Sequence, residues 1–340
     1  MRVLVLGGTS FIGPHVVARL LASGHEIAVF HRGSGSEEPS DGPQHIHGDR
    51  AQLDDFADDF RRFAPDVALD MAPMFERDAV AAVRVLRGVA KRIVAISSAD
   101  VYRAYGRLHQ SELGPIEPIP LTEDSPLREQ LYPYRGQRGG KMDDYDKILV
   151  ERTVMSVSDL PGTVLRLPAV HGERDYQHRL FMEVARIDAG RPAILVSAAE
   201  SSWRWSRGYV GNVADAIALA VTDDRATGRV YNVAESMTPT QLEWLRDVGR
   251  VAGWRGDIVV VPDELMPPNP TGARNDYGQS MVMDSTRIRE ELGYAERVGW
   301  DEGIARAIAW ERAHPPERIS PNWIDYAAED AALAALSSAT

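Results

Sequence analysis

The chain has 340 residues, enough to bury a large core as one big α/β unit or two closely joined ones. With 44% hydrophobic and 26% charged residues and no low-complexity run it has the composition of a folded globular protein, and no apolar stretch approaches the roughly 18 residues that cross a bilayer. A formal charge of −12 argues against a general nucleic-acid binder, and zero cysteines exclude disulfides, zinc–thiolate sites and thiol nucleophiles.

Residues 2–6, Arg-Val-Leu-Val-Leu, read as a strand buried on both faces. Glycines follow at once. Gly7 permits a tight turn, and Gly13 lets a helix pack close to the strand. Val16 with Leu20 and Val17 with Leu21 then repeat at helical spacing, and Gly24 stops the helix. Glu26–Phe30 is a second strand. Strand, glycine turn, helix and strand within thirty residues form a dinucleotide-binding βαβ unit, whose helix start offers N–H groups to a pyrophosphate. Gly7, Thr9, Ser10, Phe11, Ile12 and Gly13 are the expected cradle. Ser10 stands where a third glycine would complete the spacing, and its hydroxyl can donate to a phosphate.

Strands and helices alternate through the first half. Asp66–Asp70 and Ile93–Ile96 are short strands, the second ending at Ser97-Ser98, and Arg77–Gly88 is a helix between them. Residues 103–140 are rich in Pro, Gly and Tyr without periodicity and read as a long loop; a helix is expected from about Met142 to Met155, then a strand at Thr163–Leu167. Repeated βα units predict an α/β, doubly wound parallel sheet of Rossmann type. Later elements are helices at Arg179–Ala189, Val213–Val221, Thr240–Ala252, Asp284–Leu292 and Trp300–Ala313, and strands at Arg229–Val233 and Ile258–Val261. The expected organisation is a dinucleotide-binding unit over 1–171, to which 206–234 return. A smaller C-terminal substrate unit comprises 172–205 and 235–314, followed by a tail over 315–340. The N-terminus lacks a signal-type pattern, so a cytoplasmic location is expected. A homodimer with a small-molecule substrate and no membrane partner completes the expectation.

The motifs resemble, in order, those of the extended short-chain dehydrogenase/reductase group, also called the NAD-dependent epimerase/dehydratase family. They are the glycine turn, Gly48-Asp49, Ser97-Ser98-Ala-Asp-Val101-Tyr102, Leu165-Arg-Leu-Pro-Ala-Val-His-Gly172, Tyr209-Val-Gly-Asn-Val213 and Tyr231-Asn232-Val233. The resemblance covers about residues 1–312. It implies a nicotinamide dinucleotide cofactor, with Asp49 near the adenine, Pro168 in the cofactor pocket and Lys147 on the nicotinamide ribose. The second strand ends Phe30-His31-Arg32 without the acid that NAD binders place there. Arg32 suits a 2′-phosphate, which favours NADP over NAD.

The resemblance also implies a Ser/Thr, a Tyr and a Lys as catalytic residues. Ser98 and Lys147 match. Asp143 stands where the Tyr should be, four residues before the Lys. Tyr145 is close in sequence, but positions 145 and 147 face nearly opposite ways on a helix, so it substitutes only if the helix begins between them or is distorted. The proton-transfer group is open among Lys147, Asp143, Tyr102, Tyr132, Tyr134 and His171. On the substrate side, Trp203, Arg204 and Arg207 with His171 suggest a stacking and anion-binding pocket. The arginine that meets the diphosphate in nucleotide-sugar members falls on Trp205. No metal site is expected. The leading expectation is an NADP(H)-dependent enzyme that reduces, epimerises or dehydrates a carbonyl- or hydroxyl-bearing small molecule by hydride transfer. A non-catalytic NADP(H) sensor or scaffold and an RNA-binding member are the rivals, the latter disfavoured by charge.

Overall fold

The computed structural model describes residues 1–33, 42–137, 140–267, 275–319 and 323–338. The segment 34–41 after Arg32, residues 138–139 of the Pro/Gly/Tyr-rich stretch, residues 268–274, and 320–322 and 339–340 of the tail lie outside them.

Seven strands pair in parallel: β1 (Arg2–Leu6), β2 (Glu26–His31), β3 (Gln44–His47), β4 (Val67–Asp70), β5 (Arg92–Ser98), β6 (Gly162–Leu167) and β10 (Val230–Asn232). Their order across the sheet is β10-β6-β5-β4-β1-β2-β3. This is the doubly wound arrangement expected from the alternating pattern. The strand β1 shows why its run has no polar partner face. Val3 and Val5 enter one core with helix α1 (Ile12–Ala22) and helix α8 (Val210–Thr222), whereas Leu4 and Leu6 enter another with Phe60, Phe63 and Leu86. Those residues belong to α2 (Ala57–Phe63) and α3 (Glu76–Leu86). Because both faces are covered, period-two patterning is lost and a continuous apolar run remains.

Two reversals of chain order matter for the site. Strand β10 pairs with β6 at the sheet edge, and α8 packs on α1, so both come back to the main sheet from the second half. The short strands β7 (Ala169–His171) and β9 (Arg207–Tyr209) pair in parallel above the carboxyl end of β6. A separate small core surrounds β8 (Ala193–Ser197) and β11 (Asp257–Val261). It is built by α6 (Phe181–Asp188), α9 (Gln241–Val251) and α11 (Trp300–Ala313), through Leu180, Val184, Trp244, Val248 and Ile308. Thr240 and Glu243 close a capping box at the start of α9, and α10 (Thr286–Leu292) ends on Gly293 at φ 75°.

Three elements differ from expectation. The Pro/Gly/Tyr-rich stretch contains a one-and-a-half-turn helix, α4 (Arg103–Leu108), too short to show periodicity. Helix α5 runs Lys147–Met155, five residues later than the apolar spacing suggested. Its N-cap is Asp146, fully buried and extended (φ −160°, ψ 113°), whose carboxylate accepts from the Ile148 N–H at 2.9 Å and the Tyr132 N–H at 2.6 Å. The tail carries α12 (Tyr326–Ser338), docked by Glu329 onto Arg186 of α6 at 2.9 Å. Glu200 lies in α7 (Ala198–Ser201), which follows β8 and packs on α9. No helix among the described residues is long and apolar enough to cross a membrane.

Candidate active site

The cofactor cradle is tested first by its backbone. Gly7 and Gly8 sit at φ 89° and 102°, and a Cβ on Gly13 would lie 2.2 Å from the Gly8 Cα. The turn therefore folds back on itself so closely that only glycine fits at 13. Phe11, itself at φ 44°, precedes α1; no side chain caps the first turn and no acid stands in it. A helix start left without carboxylate or cap suits a pyrophosphate, so these residues fit a dinucleotide. Thr9 and Ser10 are exposed on the turn, Ile12 is half-buried, and the Phe11 ring is buried, with its edge against Tyr176 and Arg179 lying above it. Arg32 is exposed at the end of β2, beside the buried His31, which shares a 2.7 Å hydrogen bond with His45. Asp49 caps the turn after β3 by accepting from the Ala51 N–H.

Beyond the carboxyl ends of β5 and β6 lies a cavity of about 730 Å³. Ser98, Asp100, Tyr134, Tyr145, Pro168 and His171 line it, with Trp203, Trp205, Arg207 and Trp244 at its far end. Its position is the one where ligands bind in doubly wound sheets.

Lys147 is the first residue of α5, and its ammonium is buried. It donates to the Pro73 carbonyl at 2.8 Å and the Ile96 carbonyl at 3.0 Å. Burial lowers its pKa to about 8, against the pull of Asp100 and Asp70. Because Asp146 ends the extended segment, Tyr145 lies outside the helix, and the angular objection to it disappears. Its hydroxyl donates to Asp100 Oδ2 at 2.7 Å, and its ring lies 5.9 Å from the Lys147 nitrogen. The same carboxylate oxygen accepts from Tyr134 at 3.4 Å, and Tyr134 meets Tyr105, oxygen to oxygen, at 2.7 Å. Asp100 Oδ1 is buried without a partner. Burial raises the Asp100 pKa, partly offset by the Tyr145 bond, Arg128 and Lys147; burial and the Asp100 charge hold the Tyr145 phenol well above its ordinary value. Asp100 is the cavity carboxylate to which the sequence reading assigns no role. Its signal was a carboxylate two residues past a strand-end serine.

Four expected site residues fall elsewhere. Tyr102 is fully buried in a structural network, donating to Asn232 Oδ1 at 2.6 Å and accepting from Arg166 at 3.0 Å. It follows a turn that rotates it away from the cavity. Asp143 lies in a turn before α5, where it accepts from the Gly136 N–H at 3.0 Å; the late helix start removes it from the helix face that faces the sheet. Arg204 is exposed and donates to the Thr238 carbonyl, because β-bridge pairing with Thr240 turns it opposite to Trp203. Ser98 keeps its place: half-buried, lining the cavity, with its Oγ accepting weakly from the Asp100 N–H at 3.3 Å. Tyr132 lines no part of the cavity described.

Residues 3–234 match the profile of the NAD dependent epimerase/dehydratase family. The chain belongs to that family. Among relatives, 2′-dehydrokanamycin reductase of Streptomyces kanamyceticus is 27% identical over 274 residues, covering 78% of this chain and 70% of its own. The dTDP-6-deoxy-L-talose 4-dehydrogenase (NAD(P)(+)) of Kitasatospora kifunensis is 28% identical over 322 residues, 89% and 93% of the two chains. Among solved structures, dTDP-glucose 4,6-dehydratase of Bacillus anthracis, in complex with NAD, superposes with a TM-score of 0.68 at 16% identity, covering 92% of this chain and 97% of that one. Relatives of this family member are thus enzymes of the reductase, dehydrogenase and dehydratase kind, and the shared fold includes a Rossmann sheet.

Proposed function

We propose that the chain is an NADP(H)-dependent oxidoreductase that acts on a carbonyl- or hydroxyl-bearing small molecule, with Tyr145 and Asp100 in place of the displaced Tyr. When bound, the coenzyme supplies or takes up hydride at its nicotinamide. The observation that carries the reading is the 2.7 Å contact between the Tyr145 phenol and Asp100, beside the buried Lys147 and at the cavity wall. Ser98 offers its hydroxyl to the substrate oxygen. The Tyr145 phenol, held protonated by burial and by Asp100, gives its proton to that oxygen in reduction. Asp100, which accepts from both phenols, takes a proton from the Tyr134 hydroxyl and passes it to Tyr145, and Tyr134 regains one through the Tyr105 hydroxyl, which also lines the cavity. Lys147 places a charge behind this pair without touching it. Arg32, at the end of β2 with no acid beside it in sequence, supports the phosphorylated coenzyme.

The test is a panel of ketones, aldehydes and polyols incubated with NADPH or NADP, followed by the absorbance of the reduced coenzyme. Turnover that fails in Tyr145→Phe and Asp100→Asn supports the reading. NADPH binding with no turnover across the panel overturns it in favour of a sensor.

A further inference from the structure

The cavity does not end at the tryptophans. A second one, of about 1000 Å³, lies beyond it between α6, β8, α9 and the docked tail, and Glu183 and Gln241 line both. Among the described residues its wall holds five carboxylates, on Glu183, Glu200, Asp263, Asp325 and Glu329, against one arginine, Arg186. That arginine is already engaged by Glu329. Glu183 Oε2 is buried without a hydrogen-bond partner. Glu183 and Glu200 also repel each other: burial first, and then the charge of Glu183, raises the Glu200 pKa to about 6. The Arg207 charge offsets part of this repulsion, but its guanidinium makes no hydrogen bond to either glutamate. Its N–H groups go to the Trp205 carbonyl at 3.1 Å and to Gln241 Oε1 at 2.8 Å, and it lies over the Trp244 ring at 4.3 Å.

A second, independent feature points into the same place. His171, only 2% exposed, lines the first cavity, as Glu183 does, and neither of its ring nitrogens has a partner. Burial, reinforced by Arg207 and Arg179, lowers its pKa to about 3, so the ring is neutral and offers one donor and one acceptor. The Trp205 Nε1–H is likewise buried and unpartnered. Buried polar groups of folded proteins are nearly always satisfied, so a cluster left open in a cavity awaits a ligand that has both donors and acceptors.

We propose that the seam between Glu183 and Glu200 receives a protonated amino group of the substrate, while His171 and Trp205 take neighbouring hydroxyls. The substrate is then an amine-bearing polyol. A diphosphate would instead meet the Glu183 and Glu200 carboxylates, and the arginines that line the two cavities, Arg179, Arg186 and Arg207, are each already hydrogen-bonded within the protein. The ammonium would gain both carboxylates. This rests on reading the first cavity as the substrate site.

The test is calorimetric titration of the full chain at pH 7 and low salt, with and without NADPH. The probes are the glucosamine disaccharide with two free amines, cellobiose, which carries hydroxyls in their place, and UDP. The expected result is at least tenfold tighter binding of the diamine than of cellobiose, with the preference lost in Glu183→Gln and reduced in Glu200→Gln. Thermal melts confirm that each variant is folded, and either one alone suffices. No binding of the diamine, equal affinity for the two disaccharides, a preference that survives both substitutions, or tighter binding of UDP overturns the proposal. The readout is independent of turnover. Amine preference without any oxidation or reduction keeps this subsite and removes the oxidoreductase reading, and turnover of neutral sugars without amine preference does the reverse.

Discussion

Lys147 gives a prediction that needs no substrate. Its pKa falls from an ordinary 10.5 to about 8 because the ammonium is buried. At about 1.4 kcal/mol per pH unit, that fall weakens the folded state by about 3 kcal/mol wherever the lysine is charged in both states. Lys147→Met removes this penalty. It also leaves the Pro73 and Ile96 carbonyls without their donor, which costs about 1 kcal/mol each. The variant should therefore be about 1 kcal/mol more stable than wild type at pH 7. The sign reverses with pH. A depressed lysine destabilises fully below its folded pKa of about 8, and the effect fades as pH rises towards 10.5, where the unfolded chain also loses its proton. Wild type should overtake the variant near pH ~9 and exceed it by about 2 kcal/mol above pH ~10.5. Urea unfolding of both proteins from pH 7 to 10.5 checks this, since other titrating groups cancel in the difference. A difference that stays flat with pH would show that the amine is not desolvated in the native state, and the placement of α5 over β5 would then be wrong.

Arg32→Glu should weaken NADPH more than NADH in a fluorescence titration; an equal loss would remove Arg32 from the phosphate. Gly13→Ala puts a methyl 2.2 Å from the Gly8 Cα, so coenzyme binding should be lost or the melting temperature should fall; unchanged affinity and stability would mean the turn has another form. Tyr145→Phe should lower kcat by about 10²- to 10⁴-fold with little change in KM. Tyr102→Phe, by contrast, should lower stability by about 1–2 kcal/mol, through its lost bonds to Asn232 and Arg166, and leave the rate near wild type. The opposite pattern for the two tyrosines would return Tyr102 to the site.

Much of the fold was legible because both its signals are local. The run at 2–6 has no polar face since α1 and α8 cover one side and α2 and α3 the other, and a strand buried twice can only read as continuous apolar sequence. Glycine at 7 and 13 is forced by the backbone itself. What stayed hidden depends on contacts distant in sequence. Tyr102 looks like a cleft phenol in sequence, but its hydroxyl is claimed by Asn232, 130 residues away. The two-sided cavity needs β7 beside β9 and α6 beside α9, and no spacing within one segment encodes those pairings.

The displaced tyrosine shows how one cap changes a site's chemistry. Read as a helix from Met142, the chain sets Asp143 on the face of Lys147 and sends Tyr145 to the opposite side. Asp146 prevents that helix. Its carboxylate is taken by the N–H groups of Ile148 and Tyr132 and lies 3.2 Å from Arg128, and this fixes its backbone in the extended region. The two residues that flank an extended residue project to the same side of the chain, so the step from 145 to 147 is no longer a helical rotation of about 200°. Tyr145 can then reach Asp100 while Lys147 begins the helix beneath it. Asp146→Ala should accordingly do more than remove a cap worth about 1 kcal/mol. By freeing residues 141–146 to join α5 it should take the Tyr145 hydroxyl away from Asp100, and turnover should fall with Lys147 still in place. A variant that melts early yet keeps the full wild-type rate would show that Asp146 serves stability alone and that the proton comes from another group.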